Sequence, residues 1–151
     1  MIIKINGNEY KFAGNMSVLE ACRSVDVYIP TLCSYKENKG HCRLCIVQVN
    51  GKLRPACEVE IEDNMDIITE SDTIQKVRAS ILSLIMKEHR FECPKCKKSG
   101  NCNLQDVIFE FDINTTDNFV CCDKPVAKKF LNKISYDSSK CISCGRCIKH
   151  I

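Results

Sequence analysis

The sequence predicts an α+β fold in three parts: a small mixed unit of short strands and one helix over residues 1–70, a helical segment over 71–111, and a cysteine-bearing tail over 112–151. Three observations carry that prediction. Apolar and polar residues alternate through the opening stretch; the period lengthens to that of a helix from Asp72; and most of the thirteen cysteines gather in three clusters, one in each part.

Ile3 and Ile5, then Tyr10 and Phe12, flank the turn signal "NGN", which predicts a hairpin over residues 1–13. Ser17 followed three residues on by Glu20 predicts a capping box that opens a short helix, "SVLEACRSV". The proline of "YIPTLC" then stops regular structure. "CIVQVNGKLRPAC" reads as a strand, an Asn-Gly turn and a short return, and "MDIIT" as a further strand. From Asp72, the residues Ile74, Val77, Ile81, Leu84, Ile85 and Glu88 follow helical spacing, with Asp72 and Gln75 as the expected cap pair. This helix delivers His89 at its C-terminal end. A shorter helix is predicted over "NLQDVIFEF", after Cys102. Residues 112–140 are polar, lysine-rich and weakly periodic, so they read as a connector with at most one short helix around "PVAKKFL".

The N-terminus is strand-like, without the basic and apolar regions of a secretory signal, and no run approaches the ~18 apolar residues of a membrane span. A cytoplasmic protein is expected. In that reducing compartment clustered cysteines serve as metal ligands rather than disulfides, and the odd count of thirteen points the same way. The net charge of +3 lies wholly in residues 112–151, since residues 1–111 carry 15 basic and 15 acidic side chains. No basic stripe interleaves with aromatics, which argues against nucleic-acid binding. None of the six glycines builds a dinucleotide fingerprint or a P-loop, so the sequence shows no nucleotide or flavin site.

The first cysteine cluster is Cys33, Cys42, Cys45 and Cys57, spaced C-x8-C-x2-C-x11-C. A loop supplies three thiols and a position beyond a strand the fourth, the plan by which a small sheet domain holds a 2Fe-2S cluster. A structural zinc site is the alternative, although zinc sites more often use two C-x2-C pairs and only one is present. The second cluster is His89, Cys93, Cys96 and Cys102, spaced H-x3-C-x2-C-x5-C. A histidine at a helix end ordinarily complements the dipole. Here a cluster held by three thiolates still needs a fourth ligand, and an imidazole in that role leaves it less negative and raises its potential. The third is Cys141, Cys144 and Cys147, a C-x2-C-x2-C run whose usual fourth cysteine is replaced by Ile151. Cys22, inside the first helix, reads as a buried apolar residue.

In order, "IPTLCSYKENKGHCRLCIVQVNGKLRPAC", "HRFECPKCKKSGNCNLQ" and "YDSSKCISCGRC" resemble the N-terminal iron-sulfur region shared by the large iron-sulfur subunit of complex I, iron-only hydrogenases and NAD-linked formate dehydrogenases. The resemblance spans nearly the whole chain. It implies a β-grasp 2Fe-2S ferredoxin-like domain over 1–70, with its cluster on Cys33, Cys42, Cys45 and Cys57. It implies next a small helical domain over 71–111 with one histidine and three cysteine ligands, its 4Fe-4S cluster on His89, Cys93, Cys96 and Cys102. Residues 112–151 are then a connector and a partial ferredoxin motif, in which Cys141, Cys144 and Cys147 hold a third cluster only if another ligand completes the set. Cys121 and Cys122 are the spare thiols. Two departures stand out: the gap between Cys33 and Cys42 is shorter than in the family, and the chain stops where the family's paired-cluster domain would begin.

The expected role is an electron-transfer subunit with no chemistry of its own on a substrate, relaying single electrons between an NADH-oxidising flavoprotein and a hydrogenase, formate dehydrogenase or similar enzyme. Such a chain belongs in a hetero-oligomeric complex. The alternatives are the truncated front of a larger iron-sulfur oxidoreductase and a structural zinc-binding interaction module.

Overall fold

The structure, a computed structural model, describes residues 1–36, 39–113, 128–130 and 134–149. Two compact units emerge, Met1–Ile81 with Gly145–Ile151 and Leu82–Cys144.

In the first unit the hairpin predicted from "NGN" is present as β1 (Ile2–Ile5) and β2 (Asn8–Lys11). Asn6 and Gly7 both take positive φ, +51° and +83°, which the tight two-residue turn demands and these two residue types tolerate. β3 (Ile46–Val49) and β4 (Lys52–Pro55) form a second hairpin over Asn50 and Gly51. The short strand β5 (Asp66–Ile68) joins the hairpins, parallel to β1 and antiparallel to β3, giving the order β2-β1-β5-β3-β4. Alternation decides the inner face: Ile3 and Ile5 are buried while Ile2 and Lys4 are exposed.

Helix α1 (Val18–Ser24) closes that face. Its capping box forms as expected, with the Ser17 hydroxyl accepting from the Glu20 amide and the Glu20 carboxylate accepting from the Ser17 amide. These bonds hold the Glu20 carboxyl below the usual carboxylate range. Val18, Leu19, Ala21 and Cys22 pack with Ile3, Ile5, Val47 and Ile67 in the core. Cys22 is fully buried and burial pushes its thiol up to about 11, so it is an apolar core residue.

Helix α2 (Asp72–Lys87) starts where the period changes. Its cap differs from the expected pair: the Ser71 hydroxyl accepts from the Ile74 amide at 3.3 Å. Ser71 stands one residue outside the helix, where a side-chain oxygen reaches the third amide, whereas Asp72 is already helical and complements the dipole instead. One turn on, the buried Arg78 donates to the carbonyls of Ile46 (2.8 Å) and Thr69 (3.1 Å). That fastens the helix to the strand directly after Cys45.

In the second unit a turn of 3₁₀ helix, Cys93–Lys95, precedes α3 (Asn103–Glu110), which buries Leu104, Val107 and Ile108. Lys128–Phe130, inside the stretch expected to be at most a short helix, is a strand (β6) paired antiparallel with β7 (Ile134–Tyr136). The rest of "PVAKKFL" lies outside the described residues. A 3₁₀ turn over Ser138–Lys140, capped by Asp137, leads to Cys141. The C-terminal helix α4 (Arg146–Lys149) belongs to the first unit. Among the described residues no helix is long and apolar enough to cross a membrane.

Candidate metal centres

The loops around α1 and the β3–β4 hairpin bring Cys33, Cys42, Cys45 and Cys57 together, all buried. The thiols stand in pairs. Cys33 hydrogen-bonds with Cys42, and Cys45 with Cys57. Those bonds lower the Cys33 and Cys57 thiols and raise their partners Cys42 and Cys45, which burial raises further. The pairs also sense one another, Cys33 acting on Cys57 and Cys42 on Cys45. Among the described residues no three His, Cys, Asp or Glu side chains converge where one metal ion would sit. Two thiol pairs suit a binuclear cluster, with two thiolates on each metal, better than one tetrahedral ion.

Backbone amides surround these sulfurs. Leu32 N–H donates to Cys42 Sγ at 3.4 Å and the Leu44 amide also reaches it. The amides of His41 and Cys42 point at Cys33, Gly40 at Cys57, and Cys57 at Cys45. Donors aimed at sulfur stabilise the negative charge of thiolates and of a cluster on them. The loop achieves this with positive φ at Gly40 (+82°) and Arg43 (+59°). Arg43 is held by an ion pair with Glu58, and a Cβ on Gly40 would run into that same carboxylate. The cysteine spacing announces the thiols but not this amide cradle, whose one sequence signal is the glycine two residues before Cys42. Arg78 gives no such signal, since a helical arginine normally reads as solvated.

In the second unit His89, Cys93, Cys96 and Cys102 line one small pocket, with Leu104 and Ile108 of α3 beneath. The end of α2, the 3₁₀ turn and the N-cap of α3 supply one or two of them each. Burial lowers the His89 imidazole pKa, with Lys140 adding to the effect, so the ring stays neutral and able to donate a lone pair. Its Nδ1 is buried without a hydrogen-bond partner. A ring serving only the helix dipole would be charged or bonded to a carbonyl; an orphaned nitrogen beside three half-buried thiols fits a metal ligand. The ring packs edge-on against Phe91, 5.3 Å away. Arg90 N–H donates to the Ser139 carbonyl at 2.7 Å, tying the segment before Cys141 to this site.

Cys141 and Cys144 are half-buried in the second unit, and Cys147 is exposed on α4 in the first. Ser143 N–H donates to Cys141 Sγ at 3.4 Å, with Ser143 and Gly145 at positive φ. Cys121, Cys122 and Ile151 lie outside the described residues.

Comparison with known proteins defines the class. Residues 1–72 match the 2Fe-2S iron-sulfur cluster binding domain, and residues 78–117 match the NADH-ubiquinone oxidoreductase-G iron-sulfur binding region. The chain is thus an iron-sulfur protein with a 2Fe-2S domain followed by a 4Fe-4S-binding region, and it belongs to the family of the NADH-quinone oxidoreductase G and NAD-reducing hydrogenase iron-sulfur subunits. It is 30% identical, over 99% of its own length, to the NAD-reducing hydrogenase HoxS subunit gamma of Cupriavidus necator, and spans 64% of that protein. It is 31% identical to the NADP-reducing hydrogenase subunit HndD of Solidesulfovibrio fructosivorans, spanning 27% of it, and 28% identical to the NADPH-Fe(3+) oxidoreductase subunit alpha of Geobacter sulfurreducens, spanning 18%. A crystal structure of an NAD+-reducing [NiFe]-hydrogenase in the H2-reduced state superposes with a TM-score of 0.89 at 27% identity, over 98% of this chain and 64% of that one. The chain therefore spans less than two thirds of each of these relatives.

Proposed function

We propose that the chain relays single electrons through two clusters: a 2Fe-2S cluster on Cys33, Cys42, Cys45 and Cys57 in a β-grasp ferredoxin-like domain, and a 4Fe-4S cluster on His89, Cys93, Cys96 and Cys102 in a small helical domain. The pairing of the four buried thiols inside a cradle of amide donors is the observation that carries this reading. The clusters, when bound, supply the one-electron chemistry. The chain's residues set its conditions: N–H donors at Cys42 and Cys33 favour the more negative state, and a neutral His89 in place of a thiolate removes one negative charge from the second site. Cys141, Cys144 and Cys147 form a partial ferredoxin motif that a further ligand would complete. The partners that suit such a relay are an NADH-oxidising flavoprotein on one side and a hydrogenase, formate dehydrogenase or similar redox enzyme on the other, within a cytoplasmic complex.

Counting iron, zinc and acid-labile sulfide on anaerobically purified protein, with EPR after dithionite reduction, tests the reading. About six irons per chain with two overlapping signals is the expected result, and about ten would mean that the third motif is filled. Zinc without sulfide would overturn the proposal.

A further inference from the structure

We propose that the cleft over the 2Fe-2S site is a docking surface for the acidic face of a one-electron redox protein. The cleft, of about 500 Å³, has the buried Cys57 at its floor and Arg23, Tyr35, Lys36 and Lys39 around its rim. Its acidic lining residue is Glu20, already engaged by the Ser17 hydroxyl and amide. Tyr35 is half exposed, and two cations lie over its ring: the Lys36 ammonium at 5.6 Å and the Arg146 guanidinium at 5.8 Å. Four cations and an aromatic ring thus surround the place where a candidate cluster ligand comes nearest the cleft.

That arrangement discriminates between occupants. An exposed tyrosine flanked by arginine and lysine is the composition of a protein-contact centre, and a single-sign rim steers a partner of opposite sign. A small anion would need donors fixed in the floor, but the floor is thiol and apolar side chain. The best-placed donor, the Arg23 guanidinium, is already bonded to the hydroxyls of Thr31 (3.2 Å) and Ser34 (3.4 Å). The lysines stand on long, exposed stems, suited to meeting carboxylates on another protein. One electron crosses, the cluster is oxidised as the partner is reduced, and no bond on this chain changes.

The inference rests on the electron-transfer reading, and its test separates the two. Cluster-loaded full chain is titrated against an immobilised flavodoxin of strongly negative net charge, with cytochrome c as the basic control protein, at low and at high salt. Its rate of electron transfer to the same flavodoxin is followed by stopped flow. Binding to the flavodoxin should weaken as salt rises, and Lys36→Glu/Lys39→Glu should weaken it at least tenfold with the 2Fe-2S absorption spectrum unchanged. Lys11→Glu/Lys52→Glu, which changes net charge equally on exposed strand positions away from the cleft, should leave it within about twofold. Equal losses in both variants, tighter binding of cytochrome c, or displacement of the flavodoxin by inorganic pyrophosphate at matched ionic strength would each overturn the docking surface. A chain that takes up iron and sulfide, is reduced, and shows no salt-dependent binding sinks the docking surface alone. A chain without sulfide sinks the electron-transfer reading.

Discussion

His89 concentrates the chemistry of the second site in one ring: burial keeps it neutral, and its Nδ1 has no protein acceptor or donor to satisfy it. A thiolate at that position would keep four ligands and add a negative charge, so His89→Cys should retain the 4Fe-4S cluster and lower its midpoint potential in an EPR-monitored redox titration. An unchanged potential would remove the histidine from the ligand set. The backbone at Arg43 and Gly40 belongs to the same scale. Positive φ at these two positions turns amides toward sulfur, and the Glu58 carboxylate occupies the space a Cβ on Gly40 would need.

At the scale of elements, α1 and α2 hold the sheet by different means. The Ser17 capping box satisfies amides at the start of α1, and Ser17→Ala should cost about 1 kcal/mol in urea unfolding at pH 7. Arg78 of α2 contributes more, because its guanidinium answers two carbonyls that water does not reach easily. Arg78→Met should cost about 3 kcal/mol by the same assay, leaving those carbonyls unpaired, and Arg78→Lys should recover about half by keeping one charged donor. The Ile46 carbonyl follows Cys45 immediately, so Arg78→Met should also shed iron from the first site faster than the wild type. A variant with wild-type stability and iron retention would reduce Arg78 to a passenger.

For the whole molecule, the two units each gather a ligand set from their own elements. Cys42→Ala should accordingly abolish the 2Fe-2S signal in EPR and spare the 4Fe-4S signal. Joint loss would show that the units fold as one. The third motif is tested by iron content in Cys121→Ala and Cys122→Ala, made separately; loss of about four irons in either would identify its completing ligand.

Much of this was legible in the sequence where the signal is local. The "NGN" turn, the Ser17–Glu20 box, the change of period at Asp72 and the C-x2-C spacings each need only a few neighbouring residues, and local chain geometry fixes what they become. The cap of α2 lies one residue earlier than expected because Ser71 and Asp72 are both acceptable cap types and only the observed helix start distinguishes them. Tertiary structure alone decided that Cys33 stands with Cys42 and Cys45 with Cys57, that β5 threads between the two hairpins beside β1, that Arg78 is buried, and that Arg23, Lys36, Lys39 and Arg146 share one face with Tyr35. Each of those contacts joins residues distant in sequence, and depends on which loops close over which core rather than on any pattern in the stretches it joins.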